Sequence, residues 1–482
     1  MGTTRTAGLD RTYFSVASIL DVALIAFCIA LAMLIRFGTI TDADLRPMIG
    51  TWVLMSVAVL TGSAVESLYV ARTTSNRTLH FYRMARLALV TMAFYVLFVY
   101  AVKFPARLFV VSRAAVLLVF VLWLWLYLLL RILLLPHLVT LFLKLSRRKR
   151  ISLLFCGDDR AIRRVGAVFR KSPIYRHMIV PVGSCDACGL PMDERLGFYM
   201  RRAEELGATQ ICVVDEQAEY GDIAAFVMEC RKRGIPLVFY SPHFRTLRYY
   251  DPWLSFEDIG AMPFLYGPWS ATAEVAWRVV DLVFASIAVL VLSPLLLAIA
   301  IAVKLSGRGP VLFVQERVCR DMKRLRFPKF RSMTAGTRKS EEAHREYFRR
   351  YVEGKPMETD DNGEAVYKLD QRQRITAVGR IIRKTSLDEL PQVFCVISGS
   401  MSLVGPRPCI PYELEHYSDW QKQRFTVKPG LTGVWQVYGR SRLPFGAAQF
   451  LDFCYVFQRS FSMNVRLVLK TFPVILFGRG GM

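Results

Sequence analysis

The sequence predicts a mixed membrane protein: four transmembrane helices, then an α/β domain, then a C-terminal domain with one more apolar helix. Four apolar runs, at about 14–36, 48–70, 85–106 and 114–142, are each close to the roughly 20 residues that a spanning helix needs. Short apolar strands then alternate with helical segments up to about residue 245, and a fifth apolar run follows at 279–303. The predicted domain boundaries are 1–145, 146–265 and 266–482.

The composition agrees with a membrane location. The chain has 482 residues, of which 53% are hydrophobic, and its formal net charge is +24. A soluble protein is seldom both so apolar and so basic, so we expect basic faces toward anionic headgroups or anionic substrates, and no nucleic-acid partner. The 10 cysteines follow no pairing pattern, which favours a reducing compartment over a disulfide framework. The 6 histidines are scattered, so a metal would be expected to have oxygen ligands.

Basic residues set the expected orientation of the four runs. The segments 72–86 and 144–150 are rich in arginine and lysine, whereas the loop between the first two runs is nearly neutral. The positive-inside rule then places the N-terminus and residue 150 in the cytoplasm, with a mild departure at 103–113. Asp21 and Arg131 fall in the cytoplasmic half of their runs, where they could pair or reach the interface. Because few other charges interrupt the runs, an anchor or lipid-facing platform is preferred to a transporter.

Residues 151–245 are expected to form a Rossmann-like domain with a parallel sheet. Helices are expected at Asp159–Lys171 and Gly221–Gly234, between the strands ISLLFCG, MIVPVG, ATQICVVD and IPLVFY. The first strand ends in one glycine and two acids, where a dinucleotide site would have GxGxxG and free amides. A spacer or regulatory module is therefore preferred to a nucleotide site. Cys185 and Cys188 form a lone CxxC, for which two free loop thiols are preferred to zinc.

The fifth apolar run is expected to enter the membrane and return. Cations dominate residues 304–331, so both flanks of the run would be cytoplasmic. Ser293 and Pro294 lie almost at its middle. Proline removes an amide donor and serine can bond the freed carbonyl, so this pair marks the predicted break of a re-entrant helix. A kinked helix that crosses the bilayer is the alternative.

The residues best suited to chemistry lie near the short segment TSLDELP. Ser386 is expected to cap a helix that begins at Leu387 and carries Asp388 and Glu389 in its first turn. On their own, these acids would merely complement the helix dipole. Nearby cations and a rigid turn, Gly405-Pro406-Arg407-Pro408, suggest instead chemistry on a phosphate. The candidate cations are Lys329, Arg331, Arg383 and Arg407.

Four motifs follow the Ser-Pro apolar run in a fixed order: KFRSM, RKTSLDELPQ, MSLVGPRP and KPGLTGVWQVYGR. With the four runs and the α/β domain, they resemble the bacterial sugar transferases, in particular the large monotopic phosphoglycosyl transferases that act as polyprenyl-phosphate hexose-1-phosphate transferases. The resemblance implies transfer of a hexose 1-phosphate from a UDP-sugar, most commonly UDP-glucose or UDP-galactose, to undecaprenyl phosphate, with release of UMP. It also implies the first membrane step of exopolysaccharide, capsule or O-antigen synthesis, at the cytoplasmic face of the bacterial inner membrane.

The same resemblance implies roles for individual residues. Asp388 would be the nucleophile that forms a covalent phosphosugar-aspartate, and Glu389 would hold Mg²⁺. A carboxylate can attack phosphorus only where phosphate charge is neutralised and the attack is aligned. Magnesium prefers carboxylate and phosphate oxygens. Substrate phosphate or nucleotide would be bound by Lys329, Arg331, Arg383, Arg407 and Pro408, while Ser293 and Pro294 would fix the depth of the membrane hairpin. The resemblance also allows a homodimer, for which the residues carry no signal.

Several positions depart from the usual pattern of that family. Cys395, Ser398 and Ser400 stand where Asn, Lys and Asp are usual, Trp277 replaces one of two basic residues, and Asn464 replaces an Asp. The missing Asp at 400 is expected to alter local hydrogen bonding or the surroundings of a metal. The alternative function is a non-catalytic membrane scaffold or a regulatory subunit of a polysaccharide assembly complex.

Overall fold

The computed structural model divides the chain into two compact units. The first contains Met1–Ala218 and Phe226–Gly267, and the second contains Glu219–Ala225 and Pro268–Met482. Some predictions lie wholly or partly outside the described residues, namely those on the basic segments 72–86, 103–113 and 144–150 and on Cys188. The structure describes residues 4–65, 77–101, 113–135, 137–138, 141, 151–171, 179–187, 189–241, 244, 261–264, 271–334, 338–355, 358–359, 365–366, 374–438 and 443–476.

The first unit opens with four helices in the region of the four predicted spans. Their core includes Ile29, Met55 and Trp123, whereas apolar side chains such as Leu89 and Trp125 are exposed. Within the described residues of these four helices, Ser15–Phe37 is long and apolar enough to cross a membrane, and Ala115–Leu129 is a shorter apolar helix. Crossing by all four runs stays a prediction, and residues 66–70, 102–106, 136, 139–140 and 142 of those runs are not described. The helices are Thr4–Phe37, Asp42–Val65, Arg77–Ala101 and Arg113–Leu129, the last continuing as a π-helical turn at Leu130–Leu134.

Asp21 and Arg131 form an ion pair between the first helix and the π-helical turn. Arg131 Nη2 lies 2.5 Å from Asp21 Oδ2, and each side chain is only 1% exposed. An isolated charge buried among apolar side chains is very costly, so each partner makes the burial of the other tolerable. The predicted pairing is confirmed.

The remainder of the first unit is built on a five-stranded sheet with the order β2-β1-β3-β4-β5. The first four strands are parallel, as predicted, whereas β5 runs antiparallel to β4 and was not predicted. The strands are β1 Ile151–Gly157, β2 Ile179–Cys185, β3 Gln210–Val214, β4 Leu237–Tyr240 and β5 Ala261–Phe264. Helices Asp159–Lys171, Met192–Glu205 and Tyr220–Lys232 lie between them in the chain. The predicted parallel α/β sheet is confirmed.

At the carboxyl edge of this sheet, a side-chain carboxylate accepts hydrogen bonds from backbone amides. The Asp158 carboxylate accepts from the N–H groups of Arg160 and Ala161, at 2.9 and 3.0 Å, where the helix after β1 begins. In a dinucleotide site, the free amides at such a helix start would face a pyrophosphate. A carboxylate there competes with an anion for those donors and repels it. This arrangement supports a spacer or regulatory module over a nucleotide site.

The second unit begins with the apolar helix Ala271–Leu305, followed by the antiparallel hairpin of β6 Leu312–Val318 and β7 Arg324–Phe330, which contains a 3₁₀ turn at Arg320–Met322. Its remaining helices are Arg338–Val352, Ala377–Lys384, Val393–Ile397, Asp419–Lys422, Val434–Tyr438, Phe445–Gln458 and Phe461–Leu476. Further 3₁₀ helices are Leu387–Gln392, Pro411–His416 and Gln423–Thr426. The short strands β8 Glu358–Thr359 and β9 Ala365–Val366 are antiparallel, and β10 Ser402–Val404 and β11 Gly430–Thr432 are parallel.

The apolar helix Ala271–Leu305 carries the Ser-Pro pair in its interior. Pro294 has no N–H to donate to the Leu290 carbonyl four residues earlier, and Ser293 Oγ donates to that carbonyl instead, at 2.8 Å. The predicted hydrogen bond is confirmed. Leu290, near the middle of the helix, is 76% exposed, whereas Ala285, five residues earlier, and Val303, near the C-terminal end, are buried in core clusters of the second unit. By length and composition, this helix could cross a membrane. Its return to the same face stays a prediction.

Candidate active site

Asp388 and Glu389 lie in the first turn of the 3₁₀ helix Leu387–Gln392, as predicted. Ser386 does precede this helix, but the capping hydrogen bond expected from its side chain is not formed. The reason is that Ser386 has a left-handed backbone, with φ 56°, whereas a capping residue is normally extended. That conformation is uncommon outside glycine and must be held by the surrounding structure. A strained turn at Ser386 therefore directly precedes Asp388 and Glu389 in the chain.

Glu389 receives hydrogen bonds from two cations on distant parts of the chain. Lys329 Nζ, near the end of β7, lies 2.7 Å from Glu389 Oε1, and Arg407 Nη2 lies 3.0 Å from the same oxygen. The three side chains are 19%, 29% and 27% exposed for Lys329, Arg407 and Glu389, so the pairs are partly shielded from water. We call Lys329, Asp388, Glu389 and Arg407 the carboxylate–cation cluster.

The cations decide the ionisation of Glu389. Burial alone would raise the pKa of its carboxyl, but the charges of Arg407 and Lys329 and their hydrogen bonds hold that pKa well below its ordinary value. Burial lowers the pKa of Lys329, and Glu389 opposes this shift. Glu389 is therefore an ionised acceptor at neutral pH, with two donors on one oxygen.

Asp388 has a different environment from its neighbour. Burial raises the pKa of its carboxyl, Lys329 lowers it, Glu389 raises it, and Arg383 and Arg407 lower it further, with a net upward shift. Among the described residues, no hydrogen bond or ion pair engages the Asp388 carboxylate. Two adjacent carboxylates thus differ in role: one is held by cations, and the other is free to approach an incoming group.

The turn that carries Arg407 depends on a close approach of two backbones. The Gly405 amide donates to the Thr432 carbonyl at 2.9 Å, across the β10–β11 pair. A Cβ atom at Gly405 would lie 2.3 Å from the Lys428 carbonyl oxygen, which no side chain could tolerate. Glycine is therefore required before Pro406, and it allows this loop to enter a crowded part of the unit.

A buried arginine fixes the backbone of Arg407. Arg424 Nη2 donates to the Arg407 carbonyl at 2.5 Å, and the same nitrogen lies 2.8 Å from Asp452 Oδ2. Its other terminal nitrogen donates to Tyr417 and Gln449, at 2.9 and 2.6 Å. Arg407 is thus held at both ends, its side chain by Glu389 and its main chain by Arg424.

Sequence reasoning missed Arg424 and Asp452. The sequence did contain a signal, because Asp452 is the one charged residue in the mostly apolar run FGAAQFLDFCYVF. A charge within such a run is costly unless it is paired, which would have prompted a search for a buried arginine. The sequence alone does not reveal which arginine, or that the partner also bonds the Arg407 carbonyl.

Pro408 is buried beside the cluster, where its backbone makes a defined contact. Arg317 Nη1 donates to the Pro408 carbonyl at 3.3 Å. The Arg317 guanidinium and the Lys329 ammonium each lie over the ring of buried Phe327, at 5.5 and 5.6 Å from its centroid. Phe327 therefore lies against both cations, and its aromatic face helps to orient them.

Arg331 is not in the carboxylate–cation cluster. Its guanidinium donates to the carbonyls of Val303, Gly307 and Arg308, at 2.9, 2.6 and 2.6 Å. The Val303 carbonyl belongs to the last turn of the apolar helix, where carbonyls lack intrahelical donors, and Gly307 and Arg308 follow the end of that helix at Leu305. Arg331 thus caps that helix, and the phosphate contact implied for it stays a prediction.

We expect Arg331→Met to destabilise the protein by about 2 kcal/mol, because the carbonyls lose a charged donor. If the main role of Arg331 is to cap the helix, the apparent KM for the UDP-sugar that the resemblance implies should change by no more than about twofold. The measurements are the thermal midpoint in detergent and substrate titration. Arg308→Met is the control, since Arg308 is a nearby exposed arginine whose side chain has no recorded partner among the described residues. A raised KM with an unchanged midpoint would instead support a phosphate contact.

The remaining candidates and departures have local partners. Arg383 lies in the last turn of helix Ala377–Lys384, and its charge acts on Asp388. Ser398 Oγ and Ser400 Oγ both donate to the Cys395 carbonyl at 3.0 Å, so Ser400 closes the end of a short helix. Asn464 Oδ1 accepts from a buried tyrosine hydroxyl at 3.0 Å. Ser398, Ser400 and Asn464 are therefore hydrogen-bonded locally, and the expected effect of the missing Asp at 400 stays a prediction.

The two adjacent carboxylates suit a magnesium ion that takes most of its ligands from elsewhere. Within the described part of the chain, no group of three or more His, Cys, Asp or Glu could hold a metal. Glu389 Oε2 has no recorded hydrogen bond there, because both cations bond Oε1. Magnesium commonly uses one or two protein carboxylates and completes its shell with phosphate oxygens and waters. Glu389, with one oxygen that accepts no recorded hydrogen bond, could serve as such a protein carboxylate ligand.

Comparison with known proteins assigns the family. The family model for bacterial sugar transferases matches residues 272–478, which include the whole cluster. The exopolysaccharide production protein ExoY of Rhizobium meliloti (strain 1021) is 36% identical over 206 residues, which cover 43% of this chain and 88% of ExoY. This chain belongs to the bacterial sugar transferase family.

Two other relatives of this bacterial sugar transferase family member are longer than the matched region. An undecaprenyl-phosphate galactose phosphotransferase of Salmonella typhimurium (strain LT2) is 34% identical over 238 residues, which cover 49% of this chain and 48% of the relative. A UDP-glucose:undecaprenyl-phosphate glucose-1-phosphate transferase of Escherichia coli (strain K12) is 38% identical over 187 residues, which cover 38% and 35%. The chain thus spans about half or less of the length of these two relatives.

Proposed function

We propose that this protein transfers a hexose 1-phosphate from a UDP-sugar to undecaprenyl phosphate and releases UMP, in the first membrane step of exopolysaccharide, capsule or O-antigen synthesis. The observation that carries the proposal is the carboxylate–cation cluster, in which a carboxylate without a recorded partner lies beside an acid held by two cations. The names of the Salmonella and E. coli relatives describe reactions of this class, with galactose and glucose. UDP-galactose and UDP-glucose are therefore the first substrates to test.

The proposed chemistry has two displacements at one phosphorus. An Asp388 oxygen attacks the β-phosphorus of the UDP-sugar, a phosphorus–oxygen bond forms, and UMP leaves. A phosphate oxygen of the lipid then attacks the same phosphorus and displaces Asp388, which regenerates the carboxylate. Lys329 and Arg407 supply positive charge beside a substrate that gathers negative charge on its phosphate oxygens.

Glu389 would hold a magnesium ion at this site. Its Oε2, which has no recorded hydrogen bond among the described residues, would supply a carboxylate oxygen, and substrate phosphates and waters would supply the others. The metal would contribute charge neutralisation at the phosphates. Lys329 and Arg407 keep Glu389 ionised, since they hold its pKa below the ordinary value.

We test the function on the full-length wild-type protein in membranes or detergent. The substrates are a panel of UDP-sugars with undecaprenyl phosphate and Mg²⁺, and the readouts are UMP release and radiolabelled sugar phosphate in the lipid fraction. We expect one UDP-hexose to give lipid-dependent UMP release, and EDTA to stop it. If the folded protein turns over no UDP-sugar, the non-catalytic scaffold becomes the better reading.

We further propose a multi-pass protein of the bacterial cytoplasmic membrane, with the second unit on the cytoplasmic face and residues 279–303 as a re-entrant helix. Trp277 and Asp281 in the first part of helix Ala271–Leu305 are buried, as are Ile299 and Val303 in its last part. Leu290, which lies between these two parts, is exposed. The Ser293 hydroxyl satisfies the carbonyl that Pro294 leaves without a donor, which makes a break tolerable in lipid.

Topology is tested with a cysteine-containing tag fused after Met482. An impermeant maleimide applied to intact spheroplasts should leave the tag unlabelled, and should label it after lysis. The control places the same tag after Gly38, in the loop expected outside, where labelling should occur without lysis. Labelling of the C-terminal tag in intact spheroplasts would mean that the fifth apolar helix crosses the membrane.

A further inference from the structure

Cys156 and Cys185 lie side by side at the carboxyl edge of the five-stranded sheet. Cys156 is the penultimate residue of β1, Cys185 is the last residue of β2, and the two are direct partners in the parallel register. Neighbouring strands lie about 4.8 Å apart, within the Cα separation that a disulfide needs. Their Sγ atoms are 3.5 Å apart and share a hydrogen bond. Only a small movement of the side chains separates this pair from bonding distance.

The two thiols differ in access. Cys156 is fully buried, and Cys185 is partly exposed. Of the cysteines that the structure describes, Cys185 is the one that is not buried. The hydrogen bond with Cys156 lowers the pKa of Cys185, burial opposes this, and the charge of Arg202 lowers it further, whereas burial raises the pKa of Cys156. An accessible thiol therefore has a buried partner in contact with it, the usual arrangement of an attacking and a resolving cysteine.

We propose that Cys156 and Cys185 form a reversible redox site that is oxidised by hydrogen peroxide to an intrachain disulfide. The Cys185 thiolate attacks one peroxide oxygen, so a sulfur–oxygen bond forms, the oxygen–oxygen bond breaks, and hydroxide leaves and takes up a proton. The product is a sulfenic acid. Cys156 then loses its proton and attacks the Cys185 sulfur, so the disulfide forms and the sulfur–oxygen bond breaks with release of water. Two thiols and one peroxide thus give a disulfide and two waters, and a dithiol reductant reverses the change.

This site does not depend on the function proposed for the second unit. Cys188, the other cysteine of the CxxC, lies outside the described residues and is tested below as a competing partner. Cys185 on β2 pairs with Cys156 on β1, whereas Cys212 on β3 pairs with Phe155. Cys212 is just as buried as Cys156, and it therefore provides a matched control.

The test uses the purified full-length protein, treated with hydrogen peroxide, alkylated and digested for mass spectrometry. We expect a cross-linked peptide pair that joins Cys156 to Cys185, lost on treatment with dithiothreitol. Cys156→Ala and Cys185→Ser should each abolish it, while Cys188→Ser and Cys212→Ala should retain it. If Cys156→Ala fails to fold, the wild-type cross-link still identifies the partner. A Cys185–Cys188 bond, or irreversible oxidation of Cys185 with Cys156 still a free thiol, overturns the proposal.

Discussion

Asp388→Asn is expected to reduce UMP release from a UDP-sugar by at least about 10³-fold, because an amide cannot replace a carboxylate nucleophile. The substitution keeps the size of the side chain, and no recorded hydrogen bond or ion pair of Asp388 is lost among the described residues. Burial already raises the pKa of this carboxyl, so its neutral replacement should not unfold the protein. UMP release by the membrane-extracted variant is the measurement, with its thermal midpoint as the check of folding.

A labelling experiment separates the nucleophile from a merely electrostatic acid. With a UDP-sugar radiolabelled in the β-phosphate and no lipid acceptor, the wild-type protein should retain label after denaturation, and Asp388→Asn should not. Asp419→Asn is the control, since the Asp419 side chain is 95% exposed and pairs with Lys422 on the surface. Undiminished turnover in Asp388→Asn would show that Asp388 is not the nucleophile.

Glu389→Gln is expected to lower turnover by about 10² to 10³-fold, since the cluster loses the charge that positions both cations. Lys329 and Arg407 would then face each other without the shared anion. Burial already lowers the pKa of Lys329 and Glu389 opposes the shift, so removing Glu389's charge should lower that pKa further. The alkaline limb of the activity profile should therefore move to lower pH.

The measurement for Glu389→Gln is kcat against pH at saturating UDP-sugar, repeated across a magnesium titration. If Glu389 also holds the metal, the variant should need more magnesium for half-maximal rate. Glu346→Gln is the control, because Glu346 is an exposed acid that pairs with Arg349 on its own helix. An unchanged pH profile together with wild-type turnover would remove Glu389 from the site.

Short-range features of the candidate site were predictable from sequence. The positions of Asp388 and Glu389 in a first turn, and the rigid turn before Pro408, follow from residue types within a few positions. The same holds for Ser293, whose hydroxyl bonds the carbonyl left by Pro294. The parallel direction of β1 to β4 also follows from the local alternation of strands and helices.

Long-range features were not predictable in this way. Lys329 and Arg331 are only two residues apart, yet Lys329 bonds Glu389 whereas Arg331 caps the apolar helix. The packing of β7 determines which partner each side chain reaches. The left-handed backbone of Ser386 depends on its surroundings rather than on the preference of serine. Strand β5 pairs antiparallel after a long stretch with weak local signal. Local sequence patterns identify the candidate site residues, whereas tertiary packing determines which of them come into contact.

The bond from Arg424 to the Arg407 carbonyl has a consequence for protein engineering. The loop Gly405-Pro406-Arg407-Pro408 is short enough to be transferred to another protein, but its geometry is fixed by the buried Arg424. Arg424 in turn forms an ion pair with Asp452 on helix Phe445–Gln458. Grafting the loop onto another scaffold would transfer the guanidinium without its alignment. A minimal transplant of this site must therefore include a helix that never touches the reacting atoms.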